Sequence, residues 1–310
     1  MRENSSFAHS LNNTFTKKMA GLKEIRIRIA SVKTTRQVTS AMKIVSAAKL
    51  KKAQDAVTQI RPYAGKLHGI LTSISASLEN AEDSVFTQQR EPEKVLVILI
   101  TSNRGLCGGF NSNISKKAAQ LVHEKYSDQH KKGNVEFMCI GKQGIKQLKH
   151  LKMKVVQTKN ELFDELTFEN ISTVAKQVMD DFETGKYDRI ELVYNQFKNA
   201  AVQIQTAEQF LPVEIKTGEK SKSNANFIYE PSKEYIINVL IPRILRIQFY
   251  KAMLDSHAAE HGARLTAMHK ATDNATELLS FLTLQYNKAR QASITGEILE
   301  ITSGAEALQG

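Results

Sequence analysis

Residues 50–78, LKKAQDAVTQIRPYAGKLHGILTSISASL, contain a regular apolar repeat that determines the fold. The apolar residues recur at alternating steps of three and four, as in a helix that packs along another helix. The same spacing occurs earlier, from Leu22 to Val32. Residues 34–49 between them are mainly small and polar, and we expect the register to slip there. The repeat positions are Leu22, Ile25, Ile29, Val32, Leu50, Ala53, Val57, Ile60, Ala64, Leu67, Leu71, Ile74 and Leu78.

A longer repeat of the same kind lies near the C-terminal end, from Ile237 to Ala289. Because each fully buried Leu or Ile contributes about 1.5–3 kcal/mol, such a seam can hold two helices together without a globular core. We therefore predict that the terminal helices pair as a long antiparallel coiled coil. Pro242 is expected to kink the second helix or to delay its straight part until about residue 243. The predicted packing residues of this coiled coil include Met42, Leu265, Met268, Leu279 and Leu282.

The middle of the chain alternates buried strands with helices. Residues 94–101, KVLVILIT, are typical of a strand that is buried on both faces. A glycine-rich turn, residues 104–110, follows it, and Asn111 or Ser112 can cap a helix towards residue 131. This alternation predicts a central Rossmann-like α/β domain. Further strands are predicted at 135–140, 154–157, 189–197 and 202–211, helices at 142–151 and 167–184, and a mobile polar loop at 217–226.

These patterns divide the chain into four parts: residues 1–18, a coiled-coil helix 19–90, the α/β domain 91–231 and a coiled-coil helix 232–310. Residues 1–18 are rich in Ser, Asn and Thr and lack the apolar core of a secretory signal. We interpret them as a disordered extension or as a start codon assigned too early, with Met19 as the first working residue. A short transit-like extension is the alternative.

Charge is concentrated at the N-terminal end. Residues 1–66 contain 14 Lys or Arg and 3 Asp or Glu, whereas residues 67–310 contain 29 of each. The longest apolar run, residues 95–100, is far too short to span a bilayer. Two cysteines offer no disulfide framework and fit a reducing compartment. A basic rod, a neutral rod and a compact middle part favour a shaft-like protein over a conventional enzyme.

Several sequence blocks resemble the gamma subunit of rotary ATP synthases. They are MAGLKEIRIRI at 19–29, TSAMKIVSAAKLKKAQ at 39–54, RGLCGGFN at 104–111, YNKARQASIT at 286–295 and ITSGAEAL at 301–308. The blocks occur in the family's order from residue 19 to the C-terminus. The bacterial form is the closer match, since the insertion with a regulatory cysteine pair of plastid relatives is absent.

The resemblance implies a non-catalytic rotor shaft without a cofactor or a metal. In that family the coiled coil stands inside a ring of three alpha and three beta subunits, and the α/β domain contacts the epsilon subunit and the c-subunit ring. Proton-driven rotation then cycles the catalytic sites, and the shaft also regulates ATPase activity and proton flow. The implied location is peripheral, on the cytoplasmic face of the bacterial inner membrane, with the matrix face of the mitochondrial inner membrane as the alternative.

Partner contacts are predicted in two places. By resemblance, Arg290, Gln291 and Thr295 match family positions that bond to loops of the beta subunit. A second set of cationic residues is expected to face an acidic segment of beta, although a solvated Lys-rich helix face is the alternative. This set consists of Lys43, Lys49, Lys51, Lys52 and Arg61. Residues 34–49 are expected to lie opposite Arg290, and the apolar residues of 294–308 are expected to enter a hydrophobic sleeve.

Other motifs and function classes are less well supported. Residues 257–261, HAAEH, match a zinc-protease pattern, but His261 occupies the helical seam and no third ligand is indicated. The glycine-rich turn at 104–110 lacks a phosphate-binding signature and is interpreted as a tight turn with positive φ. Two rival functions are a basic coiled-coil nucleic-acid-binding protein and a small nucleotide-dependent enzyme. The first lacks an unpartnered basic stripe, and the second lacks a nucleophile or phosphate cradle.

Overall fold

A computed structural model describes residues 3–76, 85–213 and 233–309, with the side chains of 21–67, 85–213 and 239–308. The chain divides into two compact units. The terminal unit comprises Met1–Ile44 and Met268–Gly310, and the central unit comprises Val45–Ala267. The elements are α1 Glu3–Ala76, β1 Val95–Ile100, α2 Phe110–Lys125, α3 Ser127–Lys131, β2 Val135–Ile140, α4 Lys142–His150, β3 Val155–Thr158, a 3-10 helix Asn160–Phe163, α5 Phe168–Glu183, β4 Arg189–Phe197, β5 Gln203–Leu211 and α6 Lys233–Gln309.

The central unit contains a five-stranded sheet in the order β3-β2-β1-β4-β5. The first four strands of that order are parallel, and β5 joins β4 in antiparallel orientation. All six residues of β1 are buried, because β1 lies in the middle of the sheet and is covered on both sides. The predicted Rossmann-like α/β arrangement is therefore confirmed.

Two separate apolar cores cover the two faces of this sheet. On one face, Val97 and Leu99 of β1 pack with Ile114 of α2 and Leu148 of α4. On the other face, residues of β1 such as Ile98 pack with the apolar side of α5 and with parts of α1 and α6 that belong to the central unit. Alternation along the strand places successive side chains on opposite faces. One helix layer is thus built from α2 to α4, and the other from α5 and the long helices.

Within the central unit, α1 and α6 pack through the predicted seam. Ala53 and Val57 of α1 share an apolar cluster with Leu254 and Ala258 of α6. Within the terminal unit, the antiparallel register is marked by Thr39, whose Oγ1 lies 3.0 Å from Thr272 Oγ1. The predicted antiparallel pairing of the two ends of the chain is confirmed in both units.

The predicted register slip at residues 34–49 is wrong. The three-four repeat continues without interruption from Val32 to Leu50, and the intervening positions are buried or half-buried like the rest of the seam. The slip was inferred because these positions are small or polar and therefore carry no apolar signal. They are Arg36, Thr39, Lys43 and Ser46.

The same register corrects the predicted position of Arg290. Arg26 Nη2 donates to Tyr286 Oη over 2.7 Å, so the helix turn before Arg290 lies beside residue 26. Arg290 therefore lies opposite the beginning of the α1 seam and not opposite residues 34–49. Thr39 instead faces Thr272, eighteen residues before Arg290.

Most predicted elements agree with the structure to within a few residues, and two local predictions are wrong. The helix after the glycine-rich turn ends at Lys125 and not at residue 131, because buried Tyr126 leaves the helical conformation and donates to Glu191 Oε1 over 2.5 Å. Its N-cap is Gly109, whereas Asn111 is occupied by other hydrogen bonds. By contrast, α6 begins at Lys233 and includes Pro242, so of the two predicted effects of this proline the delay is absent and the kink remains a prediction.

Some predictions fall outside the described residues or remain predictions. The loop at 217–226 and the side chains of Leu71, Ile74, Leu78 and Ile237 lie outside. Side chains of 1–20 are also outside, so the interpretation of residues 1–18 and the four-part division of the chain remain predictions. None of the helices in the described ranges combines the length and the apolar character needed to cross a bilayer.

Candidate functional site

The terminal unit presents an apolar surface at the end of α6. Beyond Ala289 the seam side chains give way to apolar residues that are largely exposed. Leu299, Ile301 and Leu308 are 60%, 71% and 90% exposed. Their neighbours Ile294 and Ile298 are also about half exposed. Large exposed apolar patches are typical of interaction surfaces.

The seam below this surface contains the predicted packing residues. Met268 and Leu282 are buried, whereas Leu279 and Met42 are half-buried. In the central unit, Leu265 is half-buried against the cluster of Leu254 and Ala258. All five therefore lie on packed faces.

Three predicted partner residues lie on the exposed face of α6 in the terminal unit. Arg290, Gln291 and Thr295 are all exposed. No acidic group of the described residues lies within ion-pair distance of Arg290. The planar guanidinium of Arg290 is thus available for two-point recognition of a carboxylate.

The predicted cationic set on α1 divides into different environments. Lys49, Lys51 and Lys52 are exposed in the central unit, and Lys51 Nζ contacts Asp55 Oδ1 at 3.0 Å. Lys43 is half-buried, because it occupies a seam position of the terminal unit. Lys43 therefore does not lie on a fully solvated helix face, and its predicted contact with an acidic segment of beta remains a prediction.

Arg61 is the clearest departure from the predicted cationic surface. Its Nη2 contacts the buried Asp255 Oδ1 at 2.7 Å and donates to the Phe197 carbonyl oxygen over 2.6 Å. It therefore ties α1 to α6 and to β4 within the central unit. The prediction that Arg61 faces a partner is wrong, since a carboxylate of the chain itself holds its guanidinium.

Comparisons with known proteins identify the family. The sequence model described as ATP synthase matches residues 21–308. The ATP synthase gamma chain of Flavobacterium psychrophilum is 54% identical over 292 residues, which cover 94% of this chain and all of the relative. The gamma chain of Flavobacterium johnsoniae is 56% identical with the same coverage.

The chain belongs to the ATP synthase gamma chain family.

Solved structures show that the gamma chain fold is shared more widely. The rotor of Euglena gracilis mitochondrial ATP synthase matches with a TM-score of 0.64 and 20% identity, over 89% of this chain and 99% of that chain. The central stalk and c-ring structure of Tetrahymena thermophila mitochondrial ATP synthase matches with a TM-score of 0.57 and 24% identity, over 76% and 99%. At these identities the likeness concerns the fold alone.

The glycine-rich turn of this gamma chain is held by its carbonyl groups. Arg264 Nη2 donates to the carbonyl oxygens of Arg104 and Gly105 over 3.1 and 3.3 Å. Gly108 has a φ of 59°, as the tight-turn interpretation requires, and Leu106 also has a positive φ of 62°. Since Arg264 on α6 anchors the turn, its chemistry differs from that of a phosphate cradle, which presents backbone N–H groups.

The two histidines of the HAAEH motif form a hydrogen-bonded pair, in which His261 is buried and His257 is half-buried. Their Nε2 atoms lie 3.1 Å apart, and Arg264 Nη1 lies 3.4 Å from His261 Nδ1. Because the guanidinium only donates, His261 Nδ1 must accept and its Nε2 carries the proton that His257 receives. Metal binding by both Nε2 atoms would break this chain of hydrogen bonds. The motif is therefore explained by packing in this gamma chain.

We expect this pair to make stability pH-dependent. Burial is the main cause that lowers the pKa of His257 to about 4 and the pKa of His261 to about 3. The unfolded chain therefore binds more protons than the folded chain as the pH falls through about 6.5, and the free energy of unfolding should fall by about 2.7 kcal/mol between pH 7.5 and 5.5. Urea unfolding at the two pH values measures this.

The matched variant is His257→Gln combined with His261→Gln. Other titrating groups nearby, such as Glu260 and Asp255, are unchanged in it, so their contribution cancels in the difference between the two proteins. We expect the variant to lose most of the fall between the two pH values. An unchanged fall would contradict the assignment.

Proposed function

We propose that this chain is the central rotor stalk of a rotary ATP synthase. It couples proton-driven rotation of the c ring to the conformational cycle of the catalytic sites in the alpha and beta subunits, and it regulates ATPase activity and proton flow. The chain itself carries no bond-making chemistry. The observation that carries this proposal is the alignment of the entire length of named gamma chains at more than half identity.

The surfaces of the terminal unit support this function. A rotating shaft needs a stiff helix pair whose exterior touches its surroundings without being locked to them. The apolar residues after Ala289 suit a hydrophobic sleeve formed by three alpha and three beta subunits, because they are exposed in the isolated chain. Arg290, Gln291 and Thr295 would then contact loops of beta.

The cationic residues of α1 supply a second contact surface. Lys49, Lys51 and Lys52 are exposed and would face an acidic segment of beta. Lys43 would take part only through the end of its side chain, because it is half-buried in the seam. Exposed ion pairs are each worth about 0–1 kcal/mol, which suits a surface that slides.

The remaining partners would be the epsilon subunit and the c ring, against the α/β domain. Attachment to the membrane would run through the assembled complex. We propose a location on the cytoplasmic face of the inner membrane, which the bacterial origin of the relatives supports, with the matrix face of a mitochondrial inner membrane as the alternative.

Co-purification with tagged alpha and beta subunits, followed by ATPase measurement, tests the function. We expect a stable complex whose ATP hydrolysis requires this chain. Failure to assemble would contradict the proposal. DNA binding by the full chain at physiological ionic strength would favour the nucleic-acid-binding function instead. Saturable nucleotide binding by the full chain without alpha and beta would favour the nucleotide-dependent enzyme.

Combined replacement of Arg290→Ala and Gln291→Ala is expected to impair coupled ATP synthesis by about tenfold, as loss of one or two charge-assisted contacts implies. The stability of the isolated chain should stay within about 0.5 kcal/mol, because both side chains are exposed. Synthesis by the reconstituted complex and urea unfolding of the chain measure the two effects.

The matched control is Lys176→Ala with Gln177→Ala, an adjacent cation and amide on α5. Synthesis should be unaffected by this control. Wild-type synthesis by the Arg290 and Gln291 variant, or equal losses in both variants, would refute the proposed contact.

A further inference from the structure

Charge in the central unit differs between the α2–α4 layer on one face of the sheet and α5 on the other face. Residues 110–154, which form α2, α3, β2 and α4, contain ten Lys against three Asp or Glu, a net charge of +7. Residues 159–188, which form the 3-10 helix and α5 on the other face, contain three Lys against eight Asp or Glu, a net charge of −5. Over the whole of residues 67–310 the balance is zero, so the composition hides this separation.

The basic layer is exposed and mostly unpaired. In the described part of the chain, three of its ten lysines lie within 4 Å of a carboxylate: Lys125, Lys131 and Lys154. The other seven have no such acidic neighbour, and six of these seven are exposed. They are Lys116, Lys117, Lys132, Lys142, Lys146, Lys149 and Lys152.

The α4 helix concentrates this charge on one side. Ile145 and the buried Leu148 face α2 and the sheet, whereas Lys142, Lys146 and Lys149 lie on the exposed side. Leu151, directly after the helix, is 38% exposed among these lysines. We call the exposed lysines of α2 and α4, together with the two residues after α4, the basic face. It consists of Lys116, Lys125, Lys142, Lys146, Lys149, Leu151 and Lys152.

We propose that the basic face binds the surface of an anionic lipid bilayer. This inference goes beyond the rotor function, and it can succeed or fail independently of it. Each Lys close to an anionic leaflet contributes about 1 kcal/mol, so several together produce measurable binding.

The residue types favour a bilayer over a protein or a nucleic acid. Every cation between residues 110 and 154 other than histidine is Lys, and none is Arg. Specific carboxylate or phosphate recognition uses the planar fork of Arg, whereas flexible, hydrated ammonium groups suit a diffuse layer of headgroups. The Phe and Tyr residues of the segment, Phe110, Tyr126 and Phe137, are buried, so none of these three can stack on a nucleic-acid base.

The shape of the basic face agrees with this choice. Two helices lying side by side on a sheet form a broad surface, and their lysines are spread along it. The cavities found elsewhere in the central unit are lined by residues of α1, α5, α6, β4 and β5, such as Arg61 and Arg246. None of these three cavities opens among the lysines of the basic face, and a distributed charge fits an extended planar partner better than a small anion.

Vesicle co-sedimentation of the full chain tests the proposal. The vesicles contain equal parts of phosphatidylcholine and phosphatidylglycerol, with phosphatidylcholine alone as the neutral comparison. We expect binding to the anionic vesicles that weakens as salt is added. Combined Lys142→Gln, Lys146→Gln and Lys149→Gln should weaken partitioning by about 100-fold, since each Lys accounts for about fivefold.

The basic α1 helix requires a matched control. Lys23→Gln, Lys33→Gln and Lys66→Gln remove the same charge from exposed positions of α1. We expect this variant to bind at least tenfold more tightly than the α4 variant, in keeping with a local site. Equal weakening of both variants would show that net charge alone drives binding and would overturn the proposal.

Two further measurements make the result decisive. Lysine acetylation of the wild-type chain should be slowed by anionic vesicles at Lys142, Lys146 and Lys149, and to a smaller extent at Lys23, Lys33 and Lys66. An inverted pattern of protection would overturn the proposal. Tighter binding of a DNA duplex than of the vesicles at the same salt, lost in the α4 variant, would assign the basic face to nucleic acid instead.

Discussion

Replacing Gly141 by Ala is expected to lower the free energy of unfolding of the central unit by about 4 kcal/mol, at the upper end of single-substitution effects. Gly141 links β2 to α4 with a φ of 108° and a ψ of 133°. An added Cβ would lie 2.4 Å from the carbonyl oxygen of Thr101 and 2.7 Å from its carbonyl carbon. Because these are backbone atoms at the end of the central strand, they cannot move away cheaply.

Gly133→Ala is the matched control for this prediction. Gly133 also has a positive φ, of 76°, but an added Cβ there would meet no atom within 4 Å. Its cost should be the backbone term alone, about 1–2 kcal/mol. Urea unfolding followed by circular dichroism compares the two. Equal losses would show that the contact with Thr101 contributes nothing.

Arg61→Ala is the second large effect, with an expected loss of about 3 kcal/mol. Removing one partner of a buried ion pair leaves the other charge uncompensated, at a cost of about 3–5 kcal/mol. Asp255 is fully buried, whereas 42% of the Arg61 side chain is exposed, which places the loss at the low end. Burial already raises the pKa of Asp255 beside Arg61, so without Arg61 this carboxyl should take up a proton more readily.

The pH dependence of this loss provides an internal check. As the pH falls, Asp255 becomes neutral and no longer needs a cation, so the deficit of Arg61→Ala should shrink between pH 7.5 and 5.5. Lys51→Ala, which breaks the exposed pair with Asp55, should change stability by no more than about 0.5 kcal/mol. A comparable loss in that control, or a deficit that grows at lower pH, would contradict the role of Arg61.

The sequence predicted the architecture because the two repeats report packing directly. Every described seam position is buried or half-buried, and the strands at 135–140 and 189–197 have the predicted bounds. The seam between Val32 and Leu50 was missed because Arg36 and Lys43 contribute only their aliphatic stems to packing. Apolar periodicity has no signal for such positions.

The polar interior was harder to predict than the apolar seam. Asp255 follows Leu254 within a run of buried residues, and a charge in such surroundings requires a partner. The need of Asp255 for a cation could therefore have been predicted from the sequence. Sequence spacing could not say which of the fourteen N-terminal cations pairs with it, and the structure shows that it is Arg61. Likewise, Arg264 holds the glycine-rich turn through hydrogen bonds to Arg104 and Gly105, which lie 160 and 159 positions earlier in the sequence. Sequence spacing does not predict such distant contacts.

The separation of charge between α5 and the α2–α4 layer gives this part of the α/β domain a permanent dipole moment that points from α5 to the α2–α4 layer. A dipole in an electric field experiences a torque before any contact is made. Near a negatively charged sheet of lipid, the domain would therefore be rotated into one preferred pose while still in solution. Its approach would be selected by long-range alignment, and added electrolyte would randomise that pose.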